Sequence, residues 1–169
     1  MNNIKITIGI SGAGKSTFCR KNFPDYLQLD MDDIRKELTG DVSDQSMNKE
    51  VFSIFNQRLS DALNKNLDIC IANTNLKLKD IKSTVALIPK EYLIEFILFE
   101  DSLNWEKCRD RVQFDIETGV DRSVTYNVER GGMPLIEYMS EQYKVISNSI
   151  KSFVENLKDQ GFSVIYRKV

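Results

Sequence analysis

Gly9-Ile10-Ser11-Gly12-Ala13-Gly14-Lys15-Ser16-Thr17 satisfies the pattern G-x-x-x-x-G-K-[ST]. That pattern predicts a phosphate-binding loop when a buried strand precedes it and a helix follows. Ile4-Lys5-Ile6-Thr7-Ile8 supplies a β-branched strand that Gly9 ends. Ser16 to Phe23 supplies the helix, and Pro24 stops it. The residue types suit the chemistry. Glycines 9, 12 and 14 let the backbone turn its N–H groups inward around a polyphosphate. The helix opening at Lys15 adds the positive end of its dipole. Gly12, Ala13, Gly14, Lys15, Ser16 and Thr17 are therefore the expected ATP contacts. Lys15 reaches the β- and γ-phosphates, the Ser16 hydroxyl is the Mg²⁺ ligand, and the Thr17 N–H reaches a further phosphate oxygen.

Composition narrows the field. A chain of 169 residues, 41% of them hydrophobic, favours one domain over 1–169 with a core that needs no disulfide. The net charge of −2 argues against a generally basic, nucleic-acid-coating surface, though not against a local basic groove. Histidine is absent, which excludes a Ser-His dyad, a histidine general base and histidine metal ligands. Cys19, Cys70 and Cys108 are too dispersed for a Cys-x-x-Cys site, and their odd number fits a reducing cytosol. The first strand begins at the N-terminus and no long apolar span follows, so a cytoplasmic protein with no membrane partner is expected.

Apolar runs alternate with helical patterns along the chain, which points to an α/β fold with a parallel sheet. Strands are expected at 26–29, 68–72, 92–99 and 162–166 besides the first. Helices are expected from Asp32 or Asp33 to Leu38, over 50–64, 79–88 and 102–118, and from Pro134 to about Lys158. A turn at 119–123 and short helices through Arg130 complete the reading.

Two polar clusters follow strands, where ligands of open parallel sheets bind. In Leu29-Asp30-Met31-Asp32-Asp33-Ile34-Arg35, Asp32 is the expected carboxylate facing the γ-phosphate, able to take a proton from an attacking hydroxyl. Arg35 is placed to grip a phosphate on the acceptor. Asp30 and Asp33 read as structural, one of them a helix cap. In Asn73-Thr74-Asn75, Asn73 stands where many phosphate-loop ATPases carry an aspartate that helps hold Mg²⁺. It is expected to hydrogen-bond the Ser16 hydroxyl or a metal-bound water. The lack of an Asp-Glu pair argues against a motor or AAA-type ATPase that activates water. Finally, Arg109, Arg111, Arg122 and Arg130 precede the last long helix, and one of them is expected to close on the transferring phosphoryl group from a mobile lid.

The phosphate loop, Asp32-Asp33-Ile34-Arg35, Asn73-Thr74-Asn75 and the arginine-bearing stretch occur in the order seen in phage-type polynucleotide 5′-kinases, which the chain resembles over nearly its whole length. The resemblance implies a P-loop NTPase fold of the adenylate-kinase kind, a parallel sheet flanked by helices with a helical lid within about 109–133. It implies transfer of the ATP γ-phosphate, with Mg²⁺, to the 5′-hydroxyl of DNA or RNA ends, as in end repair. By position, Lys15 and Ser16 match the phosphate and metal contacts, Asp32 the general base, Arg35 the acceptor-phosphate contact and Thr74 a substrate-side residue. Arg122, in Asp121-Arg122-Ser123-Val124, is the preferred lid arginine; Arg130-Gly131-Gly132 is the other alignment. The family's Asp-Thr-Asn reads Asn-Thr-Asn here, and no Asp-x-Asp-Gly-Thr phosphatase motif occurs. Two other functions fit the same residues: a small-molecule kinase acting on a nucleoside, sugar or antibiotic hydroxyl, and a nucleotide-binding regulatory module.

Overall fold

A computed structural model of the chain describes residues 1–122 and 128–169. β1 (Asn3–Ile8) leads through the phosphate loop into α1 (Lys15–Asn22), and β2 (Leu27–Leu29) into α2 (Met31–Thr39) and α3 (Asn48–Asn64). β3 (Ile69–Ile71) and α4 (Leu78–Val85) precede β4 (Leu93–Leu98), a 3-10 turn at Glu100–Leu103 and α5 (Trp105–Glu117). A hairpin of β5 (Glu129–Arg130) and β6 (Met133–Pro134) is followed by α6 (Leu135–Asp159) and β7 (Ser163–Lys168).

The five strands expected from the sequence form one parallel sheet in the order β2-β3-β1-β4-β7, with helices on its faces. The fold class is as expected. Register explains the burial. Ile4 pairs with Ile69 and Ile94, Ile6 with Ile71 and Phe96, and Ile8 with Leu98, so alternate residues make one continuous apolar face. α6 covers it, with Phe153 5.9 Å from Phe96. The other face is mixed. Lys5 pairs with Glu95 at 2.7 Å, each side chain 9% exposed, and Arg167 reaches the same carboxylate at 2.7 Å. Phe23, just past α1, lies against the Lys5 ammonium, and Cys19 of α1 is buried in a small cluster with Cys70 and Ala72. The chain leaves β1 toward β2 on one side and later crosses to β4 on the other. The carboxyl end of β1 is therefore a topological switch point, where such sheets open a crevice.

Three expectations need correction. α2 opens at Met31, because Asp30 and not Asp32 or Asp33 is the cap. The single helix expected over 102–118 is broken at Asn104, whose side chain accepts from the Lys107 N–H at 3.1 Å and starts α5 afresh. The short helices expected through Arg130 give way at 129–134 to a hairpin, turned by Gly131 and Gly132 at φ 60° and 77°. Among the described residues the expected lid is thus helical only as far as Glu117. Ser123 and Val124, on which the expected turn and the lid's end depend, lie outside the described residues. No helix among those described is long and apolar enough to cross a membrane.

Candidate active site

The phosphate loop is gripped from several sides. The Gly9 N–H donates to the Thr74 carbonyl at 3.0 Å. The Ile10 N–H donates to the buried Ser102 hydroxyl at 3.0 Å, and Ser140 of α6 donates to the Ser102 carbonyl at 2.7 Å. Arg111 of α5 donates to the Gly12 carbonyl at 3.1 Å and to Asp101 at 2.8 Å. Gly12 and Gly14 take φ of 80° and 91°, so the loop uses the left-handed region twice. Beside it opens a cleft of about 220 Å³ lined by Ala13, Gly14, Phe18, Phe99, Asp101 and Val169. Lys15 does not project outward in this structure. It is buried, its ammonium turned back on the Ile10 carbonyl at 2.8 Å. Burial draws its pKa down to about 8 against the attraction of Asp30 and Asp32, and the nearby Arg122 guanidinium lowers it further.

Asp30 is the residue whose part the sequence reading understated. Its Oδ1 accepts the Asp32 N–H at 2.9 Å and caps α2, while its Oδ2 accepts the Ser16 hydroxyl at 3.0 Å. Burial raises its pKa to about 6, with Asp32 and Asp33 adding repulsion and the two hydrogen bonds opposing it. A hydroxyl and a carboxylate side by side are hard oxygen donors suited to Mg²⁺. Asn73 does something other than expected. Its Oδ1 accepts the Met31 N–H at 2.9 Å, so it caps α2 from β3, and the Ser16 hydroxyl belongs to Asp30 instead. The rest of Asn73-Thr74-Asn75 is strapped to β1: the Thr7 hydroxyl donates to the Asn73 carbonyl at 2.7 Å, and the Asn75 amide to the Thr7 carbonyl at 2.8 Å.

Asp32 and Arg35 meet one turn apart on α2, with Arg35 Nη1 2.6 Å from Asp32 Oδ1. Arg35 is buried and its Nη2 also donates to Asn48 at 3.3 Å. Its Nε is buried with no hydrogen-bond partner among the described residues, and the Arg122 Nε is in the same condition. The four arginines separate clearly. Arg122 is within electrostatic reach of Lys15 and pairs with Asp115. Its carbonyl accepts from Ser43, and the neighbouring Asp121 pairs with Lys36 of α2 at 2.6 Å. Arg111 holds the loop backbone. Arg109 pairs with Asp110 over the Trp105 ring, and Arg130 lies over Tyr138.

This sheet order, with the phosphate loop at its centre, is that of the P-loop kinase fold. The chain belongs to the AAA domain family, whose model matches residues 4–114. The family match does not bear on the expectation against a water-activating ATPase; Asn73 leaves the end of β3 without an acidic pair. No curated protein matches the chain in sequence. Among solved structures it is similar to a chain of the Pnkp1/Rnl/Hen1 RNA repair complex, at 18% identity and a TM-score of 0.70, over 88% of this chain and 46% of that one. A chain from a second structure of the Pnkp1/Rnl/Hen1 complex matches at 20% identity and 0.56, over 79% and 44% respectively. A Chloroflexus aurantiacus protein provisionally described as a kinase matches at 13% identity and 0.53, over 72% and 73%. The chain thus spans less than half the length of the repair-complex chains it matches. At these identities the likeness is one of fold.

Proposed function

We propose that the chain is an ATP-dependent phosphotransferase acting on the 5′-hydroxyl of DNA or RNA ends, built as one domain with a lid over about 109–133. The observation that carries this reading is Arg35. The Arg35 guanidinium is buried with its charge met by Asp32, yet its Nε lacks an acceptor; a buried donor left unsatisfied is costly, and an incoming anionic oxygen would satisfy it. A phosphate on the acceptor supplies one, and a polynucleotide carries such a phosphate next to its terminal nucleoside. The likeness of fold to a chain of an RNA repair complex is compatible with this choice.

In the reaction, Lys15 leaves the Ile10 carbonyl for the β- and γ-phosphates, while the loop N–H groups hold the rest of the triphosphate. Asp32 orients the 5′-hydroxyl and takes its proton as the oxygen attacks the γ-phosphorus; the bond to the β-phosphate oxygen breaks and ADP leaves. Arg35 holds Asp32 in place and grips the acceptor phosphate. Arg122 offers its Nε to the transferring group. Ser16, backed by Asp30, would hold Mg²⁺, which neutralises charge on the β- and γ-phosphates when bound.

The test compares acceptors. With labelled ATP and Mg²⁺, a nucleoside 3′-monophosphate should be phosphorylated and the plain nucleoside much less. Arg35→Ala should raise the Michaelis constant for the acceptor far more than for ATP. Equal use of the two acceptors, or labelling only of sugars or other small hydroxyl compounds, would replace this reading with a small-molecule kinase.

A further inference from the structure

α3 runs down from the carboxyl edge of the sheet, since it connects the end of β2 to the start of β3 in a parallel pair. Its first turns therefore stand at the edge that carries the phosphate loop. At about 100° per residue, Phe52 lies at an azimuth between Leu59 and Leu63 on this helix. Those two leucines are 0% and 7% exposed, so this is the inward face. Phe52 is nevertheless 43% exposed. One turn before it, Asn48 touches the Arg35 guanidinium at 3.3 Å. An aromatic ring on the core side of a helix is thus left partly open, one turn beyond the asparagine that touches the buried arginine.

We infer that Phe52 is a stacking platform for a nucleobase of the acceptor strand, namely the base that follows the phosphate held by Arg35. The inference rests on the polynucleotide reading above and adds a specificity residue to it. Residues one helical turn apart are about 6 Å from each other, wider than the roughly 3.4 Å rise between stacked nucleotides of a duplex strand and so suited to an unstacked, splayed single strand. Passing from Asp32 to Arg35, to Asn48 and on to Phe52 follows the order of groups in the substrate: hydroxyl, phosphate, next base. Aromatic stacking is the usual way of holding single-stranded nucleic acid without reading its sequence, because every base has a π-face. The site would therefore prefer two or more nucleotides to one and be indifferent to the identity of the second base.

The experiment uses the full chain, ATP and three acceptors: a 5′-hydroxyl trinucleotide, the same trinucleotide abasic at its second position, and a nucleoside 3′-monophosphate. Phe52→Ala should raise the trinucleotide Michaelis constant roughly five- to hundredfold. It should leave the Michaelis constants for ATP, the abasic strand and the monophosphate unchanged, along with kcat. Phe52→Trp should restore trinucleotide use. An unchanged trinucleotide Michaelis constant, or an equal penalty on the abasic strand, overturns the proposal. So does a change in sedimentation in place of the acceptor effect, which would assign the ring to contact with a second copy of the chain. If the unaltered protein labels none of the three acceptors, the polynucleotide reading itself has failed, an outcome distinct from a silent Phe52→Ala.

Discussion

Gly12→Ala is the substitution whose consequence can be worked out most directly. A Cβ at this position would stand 2.3 Å from the Cys108 carbonyl oxygen, 2.9 Å from its carbon and 3.1 Å from its Cα. All three atoms are backbone of α5, so no side chain can swing aside, and relief takes a displacement of roughly 1 Å. Overpacking of this kind costs about 1–3 kcal/mol, and a left-handed φ adds about 1–2 kcal/mol for a residue with a Cβ. Gly14 has the same left-handed character, at φ 91°, but a Cβ there meets nothing within 4 Å. The expected losses are thus about 2–5 kcal/mol for Gly12→Ala and about 1–2 kcal/mol for Gly14→Ala. Moving the loop off α5 also strains the bond from Arg111 to the Gly12 carbonyl. Urea unfolding of both variants measures the difference, and calorimetry should show ATP binding weakened at least tenfold in Gly12→Ala. Equal destabilisation by the two substitutions would refute the claim that α5 packs directly beneath the loop.

Asp32→Asn should lower turnover roughly a hundred- to ten-thousand-fold with ATP affinity nearly unchanged, whereas Asp33→Asn should cost little; if Asp33→Asn is the dead variant, the base has been placed one residue too early. Glu95→Gln leaves Lys5 as a buried charge without its counter-ion and should destabilise by about 3–5 kcal/mol in chemical unfolding; a loss below about 1 kcal/mol would mean that solvent reaches the pair.

The sheet was legible because each strand is a short apolar run bounded by turn residues, and the loop because its spacing admits few alternatives. What escaped depends on contacts distant in sequence. Asp30, Asp32 and Asp33 are three plausible caps on paper. The choice falls to Asp30 because β2 ends at Leu29, paired with Ile71, and the chain must turn there. Asn73 was placed correctly at the end of a strand, but its partner is a backbone N–H 42 residues away that no local pattern announces. Ser102 and Ser140 resemble any serine beside a turn or on a helix until burial shows them joined beneath the loop. The hairpin at 129–134 was a different kind of miss. Gly131-Gly132 is a recognised two-residue turn, and the signal was present in the sequence.

Asp30 has a reach of its own to defend. One of its oxygens holds the hydroxyl of α1 and the other the first turn of α2, so a single short side chain acts as a gauge between two helices. In the proposed reaction those helices carry the donor's phosphates and the acceptor's hydroxyl. Asp30→Glu preserves charge and both acceptor oxygens, yet lengthens the gauge by about 1.5 Å, one carbon–carbon bond. Errors of about 1 Å in the alignment of reacting groups cost on the order of a hundredfold in rate. At this position a substitution conservative in every chemical respect would be a dimensional fault, and the tolerance is narrower than the difference between two acidic amino acids.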